Sequence, residues 1–178
     1  MPTYIAFLRA INLGPTRKFP KDAIIAAVES VGFTAVATHI ASGNVRFQTP
    51  LRSRAKIERM LEQAFLADRG FDVPTIVFEA SEFAALAAEA AALTAERPGL
   101  ARHYVYLLKN ELDAETVARV EAAASDAGEM IVRGRAAHAL LREGYQEGVV
   151  DPLGAAKLLG VGTNRNLNVV TTIAAKWC

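Results

Sequence analysis

The sequence has almost no cysteine: one residue, Cys178, at its last position. A disulfide framework and a multi-thiolate metal site are both excluded. Histidine is nearly as scarce. His39, His103 and His138 are the full complement; none lies in a metal-ligand spacing, so each reads as a core or surface residue and no metal is expected. No stretch approaches the roughly 18 consecutive apolar residues of a membrane span. Residues 1–9 lack a basic leader and carry Arg9 within their apolar run, so no signal peptide is expected and the expected location is cytoplasmic. Net charge is nearly absent too, at +1, and even the ten Lys/Arg against five Asp/Glu of residues 1–70 are spread too thinly for the concentrated cationic footprint that a dedicated nucleic-acid binder carries. The Walker loop, the G-x-S-x-G elbow and the H-E-x-x-H motif are missing, and Gly160-Val161-Gly162 is an isolated fragment of a dinucleotide fingerprint. No cofactor is expected, no reaction can be assigned, and the motifs leave open whether the protein is an enzyme.

What is present is a chain of 178 residues, 52% hydrophobic and 22% charged, enough for one substantial domain or two small ones. The near-neutral total hides an asymmetry. Residues 1–70 hold ten Lys/Arg against five Asp/Glu, and residues 71–178 hold ten against fourteen. A mildly basic first half can attract phosphates.

Residues 4–11 are apolar, aromatic and β-branched and predict a buried strand. Gly14-Pro15 marks a loop carrying Arg17 and Lys18. Pro20 suits the first turn of a helix in which Ile24, Ile25, Val28 and Val31 follow helical spacing, with Gly32 as its stop. Val36, Thr38 and Ile40 alternate with Ala37, His39 and Ala41, and Ser42-Gly43-Asn44 turns the chain into a second strand. Ile57, Met60, Leu61, Ala64 and Phe65 form one face of a helix ending before Gly70, and residues 73–78 make another strand. Strand, helix, strand, strand, helix, strand is the split βαβ of a ferredoxin-like fold.

Residues 80–95 are alanine-dense and helical by propensity, and Arg97-Pro98-Gly99 breaks that helix. A similar order then restarts: a strand over 104–109, a helix over 114–124, and strands over 130–132 and 137–141 about the Gly134-Arg135 turn. Asp151 is expected to N-cap a helix with Pro152 at its first position and its end at Gly160; Thr163 is expected to N-cap a closing helix that runs to Trp177. The expected class is α+β: two ferredoxin-like halves, residues 1–79 and 80–178, each an antiparallel sheet with helices on one face.

Three segments carry a family resemblance. Leu8-Arg9-Ala10-Ile11-Asn12-Leu13-Gly14, followed by Lys18 and Pro20, resembles an LRGINVGG…K-x-P opening; Ser42-Gly43-Asn44-Val45-Arg46-Phe47 resembles a YIQSGNVVF hairpin; and the stretch from Thr163 to Val170 resembles a T-x-RNWNTV closing helix. In order and spacing they resemble the bacterial family known as domain of unknown function 1697. The resemblance implies a two-part ferredoxin-like structure and no particular activity. Ala10 stands in place of the family glycine, Pro15 in place of the second glycine of the pair, and Leu167 and Val169 in place of tryptophan and threonine.

The retained polar residues are the site candidates: Arg9, Asn12, Lys18, Ser42, Asn44, Arg165, Asn166 and Asn168. Period-two counting puts Arg9 on a strand face with Ile5, Phe7 and Ile11, where a charge needs a partner or water; a guanidinium there can serve as a fork for carboxylate or phosphate. Asn12 and Asn44 sit at strand ends beside glycine, a setting that suits either turn chemistry or ligand contact. Arg165, Asn166 and Asn168 are expected in the first turns of the closing helix, where unpaired N–H groups favour an anion. Ser42 has no evident base beside it. Tyr104 and Tyr106 share a strand face and read as core or interface residues.

These residues support a small-molecule or phosphate/anion-binding protein with its site between the two halves. A single-stranded nucleic-acid binder is the alternative, since ferredoxin-like sheets carry RNA-recognition motifs, although the expected solvent side here shows Arg46 and Gln48 in place of aromatics. A protein–protein adaptor using the helix at 80–95, with Phe83, Leu86 and Leu93, is a third. No membrane association is expected, and the oligomeric state is not legible. The topology further predicts that Arg9, Asn12, Ser42, Asn44, Arg165 and Asn166 converge on one face.

Overall fold

The computed structural model describes residues 1–149 and 151–178. Its first half grows from the apolar strand β1 (Thr3–Leu8), followed by α1 (Lys21–Ser30), β2 (Thr34–His39), β3 (Asn44–Gln48), α2 (Arg54–Arg69) and β4 (Thr75–Glu79). The sheet order is β2-β3-β1-β4, with every neighbour antiparallel. β1 is thus central, and it is buried on both faces, which is why it reads as a continuous apolar run. Tyr4, Ala6, Leu8, Val45, Phe47 and Val77 point to one face and pack against Ile24 and Val28 of α1 and Ile57, Leu61 and Phe65 of α2. On the other face Phe7 contacts the rings of Phe78 and Phe83.

The edge strand β4 is closed by its own helix. Glu58 Oε1 accepts from the Val77 N–H at 3.1 Å, and Glu62 Oε1 accepts from the Thr75 N–H at 3.0 Å. Four residues of helix rise about 6 Å and two residues of strand about 6.6 Å, so carboxylates four apart meet edge N–H groups two apart. An edge that would otherwise pair with another chain is occupied.

The second half comprises α3 (Ala80–Ala95), β5 (Leu100–Leu108), α4 (Ala114–Glu121), β6 (Gly128–Arg133), β7 (Ala136–Arg142), β8 (Gly162–Asn166) and α5 (Leu167–Trp177). Its sheet order, β6-β7-β5-β8, repeats the first sheet position for position. The chain divides into compact units at Met1–Phe83 with Trp177–Cys178, and at Ala84–Lys176, so α3 straddles the division. Both units are antiparallel α+β sheets of ferredoxin-like order.

Three expectations are corrected. β1 stops at Leu8, because Ala10 turns the chain with φ +59, and Arg9 is exposed beyond the strand and not set among apolar neighbours. The helix expected over 151–160 is one turn of 3-10 helix, Ala156–Leu158. Asp151 has φ +56, not the extended backbone of an N-cap, and its carboxylate accepts from the N–H groups of Ala155 and Ala156 at 3.1 Å each. This segment still covers the sheet where the second helix would lie, through buried Ala155 and Leu159. The closing helix begins not at Thr163 but after Asn166, whose Oδ1 accepts from the Val169 N–H at 2.9 Å. Residues 162–166 form β8 and pair with β5, so Arg165 lies on a strand and not on the helix. Asparagine caps a helix at least as well as threonine, and β5 needs an edge partner.

Candidate functional site

In the first unit the motif residues shape loops. The backbone leaves β1 through left-handed conformations at Ala10 (φ +59) and Asn12 (φ +54). Asn12 Nδ2 donates to the Ala41 carbonyl at 2.7 Å, and its Oδ1 accepts from the Phe19 N–H at 2.9 Å. One carboxamide therefore clamps both ends of the loop against the β2–β3 turn. Arg17 ties the same loop down by donating to the carbonyls of Ala10 and Asp72, both at 2.6 Å, with its guanidinium over the Phe71 ring. Asn44, fully buried, donates from Nδ2 to the His39 carbonyl at 2.8 Å and to Ser42 Oγ at 3.0 Å. Between them Gly43 (φ +82) passes so close to β1 that a Cβ would lie 2.8 Å from Leu8 Cβ. Turn chemistry accounts for these contacts of both asparagines.

Asn12 and Asn44 border one cavity of about 510 Å³ with Phe19, Ile24, Thr38 and Ile40, a mostly apolar lining. Lys18 is exposed beside a smaller hollow that it shares with Asn12, Gly14 and Pro20. Ser42 is exposed in the turn. The structure thus brings Asn12, Ser42 and Asn44 to the β1 and β3 ends, as Phe7 pairing with Asn44 requires. Phe7 is buried, so its ring is not available to stack on a base.

In the second unit Asn166 and Asn168 line a cavity of about 460 Å³ together with Thr94, Arg102, His103 and Tyr104. Thr94 comes from the last turn of α3, the next three from β5, and the asparagines from the cap and opening turn of α5. Beneath this lining runs a hydrogen-bonded chain. Thr94 Oγ1 lies 2.7 Å from His103 Nδ1, and His103 Nε2 lies 2.8 Å from His138 Nδ1. His138 is fully buried, and its Nε2 has no hydrogen-bond partner among the described residues.

Burial, with the Arg97 cation as a lesser cause, pushes His103 down to about 4. Burial, then His103 and Arg133, pushes His138 down to about 3. Both imidazoles are neutral at pH 7, so each has one donor and one acceptor nitrogen. Arg165 stands in the same cross-strand row: Val105 pairs with His138 on one side and Arg165 on the other. Its guanidinium, lowered to about 10 by burial, donates to Thr163 Oγ1 and the Asn164 carbonyl at 2.8 Å each.

Nothing local in the sequence marks Thr94, Arg102 or the His103–His138 contact as part of a site. The contact follows from the β5–β7 register, with Val105 opposite His138 and a bulge between Leu100 and Arg102. Period-two counting places residues 103 and 105 on one face, but the pairing partner carries no local mark.

Fold and topology define a tandem ferredoxin-like α+β protein. The family described as a protein of unknown function, DUF1697, matches residues 1–138, and the chain belongs to it. The closing motif at 163–170 lies beyond the matched residues. The conserved bacterial protein SP0830 from Streptococcus pneumoniae has a similar structure: TM-score 0.77, 21% identity, and 99% of each chain covered. At that identity the likeness speaks for the fold. None of the curated proteins matches the chain.

Proposed function

We propose that the protein binds a small anionic molecule in the cavity of the second unit, with Arg102, Asn166 and Asn168 as its polar contacts. The observation that carries this reading is that Arg102 and buried His103 of β5, Asn166 at the end of β8 and Asn168 of α5 line one cavity. A volume of about 460 Å³ suits a metabolite-sized ligand. A guanidinium matches carboxylate and phosphate geometry, and the opening turn of α5, an eleven-residue helix, adds N–H groups of favourable polarity. Two features of the first half weigh against placing the ligand there: Asn12 and Asn44 hold backbone carbonyls, and the cavity they border is mostly apolar.

A thermal-shift screen of small dicarboxylates and phosphorylated metabolites tests the reading. At least one such anion should raise the melting temperature of the wild type, and Arg102→Ala should abolish the shift. A library that stabilises neither, or that stabilises both equally, overturns it.

A further inference from the structure

Thr94, His103 and His138 come from α3, β5 and β7, yet they form one continuous hydrogen-bonded line, 2.7 Å and then 2.8 Å. Thr94, at one end, lines the cavity, and at the other end His138 Nε2 is buried with no partner among the described residues. A hydroxyl against an imidazole, with a third group fixing the imidazole's other nitrogen, is the arrangement of nucleophile, general base and orienting residue. We propose that Thr94 is a nucleophile activated by His103, with His138 as the positioning residue, and that this site hydrolyses esters whose acyl group carries a second, anionic group held by Arg102. The proposal rests on the anion-binding reading of the same cavity.

The proton inventory fits. With both rings neutral, one tautomeric state has the Thr94 O–H donating to His103 Nδ1 and His103 Nε2–H donating to His138 Nδ1. That state presents a bare nitrogen to the hydroxyl, as a base must. When His103 takes the proton it becomes a double donor, and its bond to His138 Nδ1 is kept. An uncharged imidazole in the orienting place stabilises the imidazolium less than a carboxylate would. A base as weak as one near 4 favours a good leaving group, so an ester is the better substrate than an amide.

In the first half-reaction Thr94 Oγ bonds to the acyl carbon and its proton passes to His103 Nδ1. The carbon–oxygen bond to the alcohol breaks, and that proton leaves with the alcohol. Water then attacks the threonyl ester, giving its proton to His103. The bond to Oγ breaks, Thr94 recovers the proton, and the carboxylic acid is released. Asn166 and Asn168, on the same lining, are available donors for the oxyanion of each step.

The test uses the mono-4-nitrophenyl ester of succinic acid and the full chain. The wild type should release 4-nitrophenolate with an acyl adduct that intact-mass and peptide mapping place on Thr94. Thr94→Val and His103→Gln should each lower the rate by about 100-fold or more, while Thr94→Ser keeps the adduct. Arg102→Ala should raise KM for this ester. An adduct on another residue, no adduct at all, or a Thr94→Val rate equal to wild type overturns the proposal. Mapping on the wild type decides the matter even where a variant fails to fold. Binding of succinate, followed by thermal shift, separates the two readings: an Arg102-dependent shift without esterolysis removes the triad and leaves the anion site standing, and loss of both removes both.

Discussion

Acid should unfold this protein earlier than its carboxylates alone require, because its histidine pair is buried uncharged. His103 and His138 are held at about 4 and about 3 in the folded chain, against about 6.5 when unfolded. Above pH 6.5 neither state binds the proton and the pair contributes nothing. Below it the unfolded chain takes up protons that the folded chain refuses, so stability falls as pH falls from 6.5 towards the folded values. At pH 5 each histidine has lost about 1.5 pH units of this range, or about 2 kcal/mol. His103 borders the cavity and is partly screened, so about 3 kcal/mol for the pair is the working figure. Arg97 and Arg133 are the cations that bear on the pair, and Arg97 is held by Glu129 at 2.6 Å. Urea unfolding at pH 7.5 and pH 5.0 measures the loss, with His103→Gln/His138→Leu as the control that cannot titrate there. The wild type should lose about 3 kcal/mol more than the control between the two pH values. Equal losses in the two proteins would refute the reasoning, as would imidazole nitrogen shifts showing a charged ring at pH 6.

Three further changes test the loops and the sheet edge. Ala10→Gly relieves a left-handed alanine at φ +59 and should raise stability by about 1 kcal/mol in urea unfolding. Asn12→Ala removes the 2.7 Å and 2.9 Å bonds that clamp the loop, costing about 2 kcal/mol and speeding proteolysis within residues 9–20. Glu58→Ala uncovers the Val77 N–H of the edge strand; a loss of about 2 kcal/mol and faster amide exchange at Val77 are expected.

The first half was legible because its patterns are local. β1 is a dense apolar run, Gly43 and Asn44 announce the hairpin, and α2 carries a clear apolar face. Turn chemistry was legible as well: Asn12 beside a left-handed residue does what a short carboxamide does there. The second half hides its last strand. Gly162–Asn166, Gly-Thr-Asn-Arg-Asn, has no apolar alternation and becomes β8 only because β5 has an open edge to fill. Asp151 and Pro152 look like a helix start, yet the left-handed Asp151 sends the chain into a turn. The candidate site was half legible for the same reason. Asn166 and Asn168 stood in a motif, whereas Thr94, Arg102 and His138 reach the picture only through a register that no short window of sequence encodes.

Position 138 shows where folding and chemistry ask for different side chains. Its neighbours across the strands are Val105 and Ile131, and the side chain there is fully buried. A leucine would fill a similar space without desolvating two nitrogens, and a buried unsatisfied polar atom costs about 1–3 kcal/mol. The imidazole makes one hydrogen bond, through Nδ1 to His103, and leaves Nε2 without one among the described residues. Its depressed value should also make the fold more acid-labile. Packing therefore does not call for histidine at this place. What histidine supplies and leucine cannot is a hydrogen-bonding partner for the far nitrogen of His103, whose other nitrogen meets the Thr94 hydroxyl.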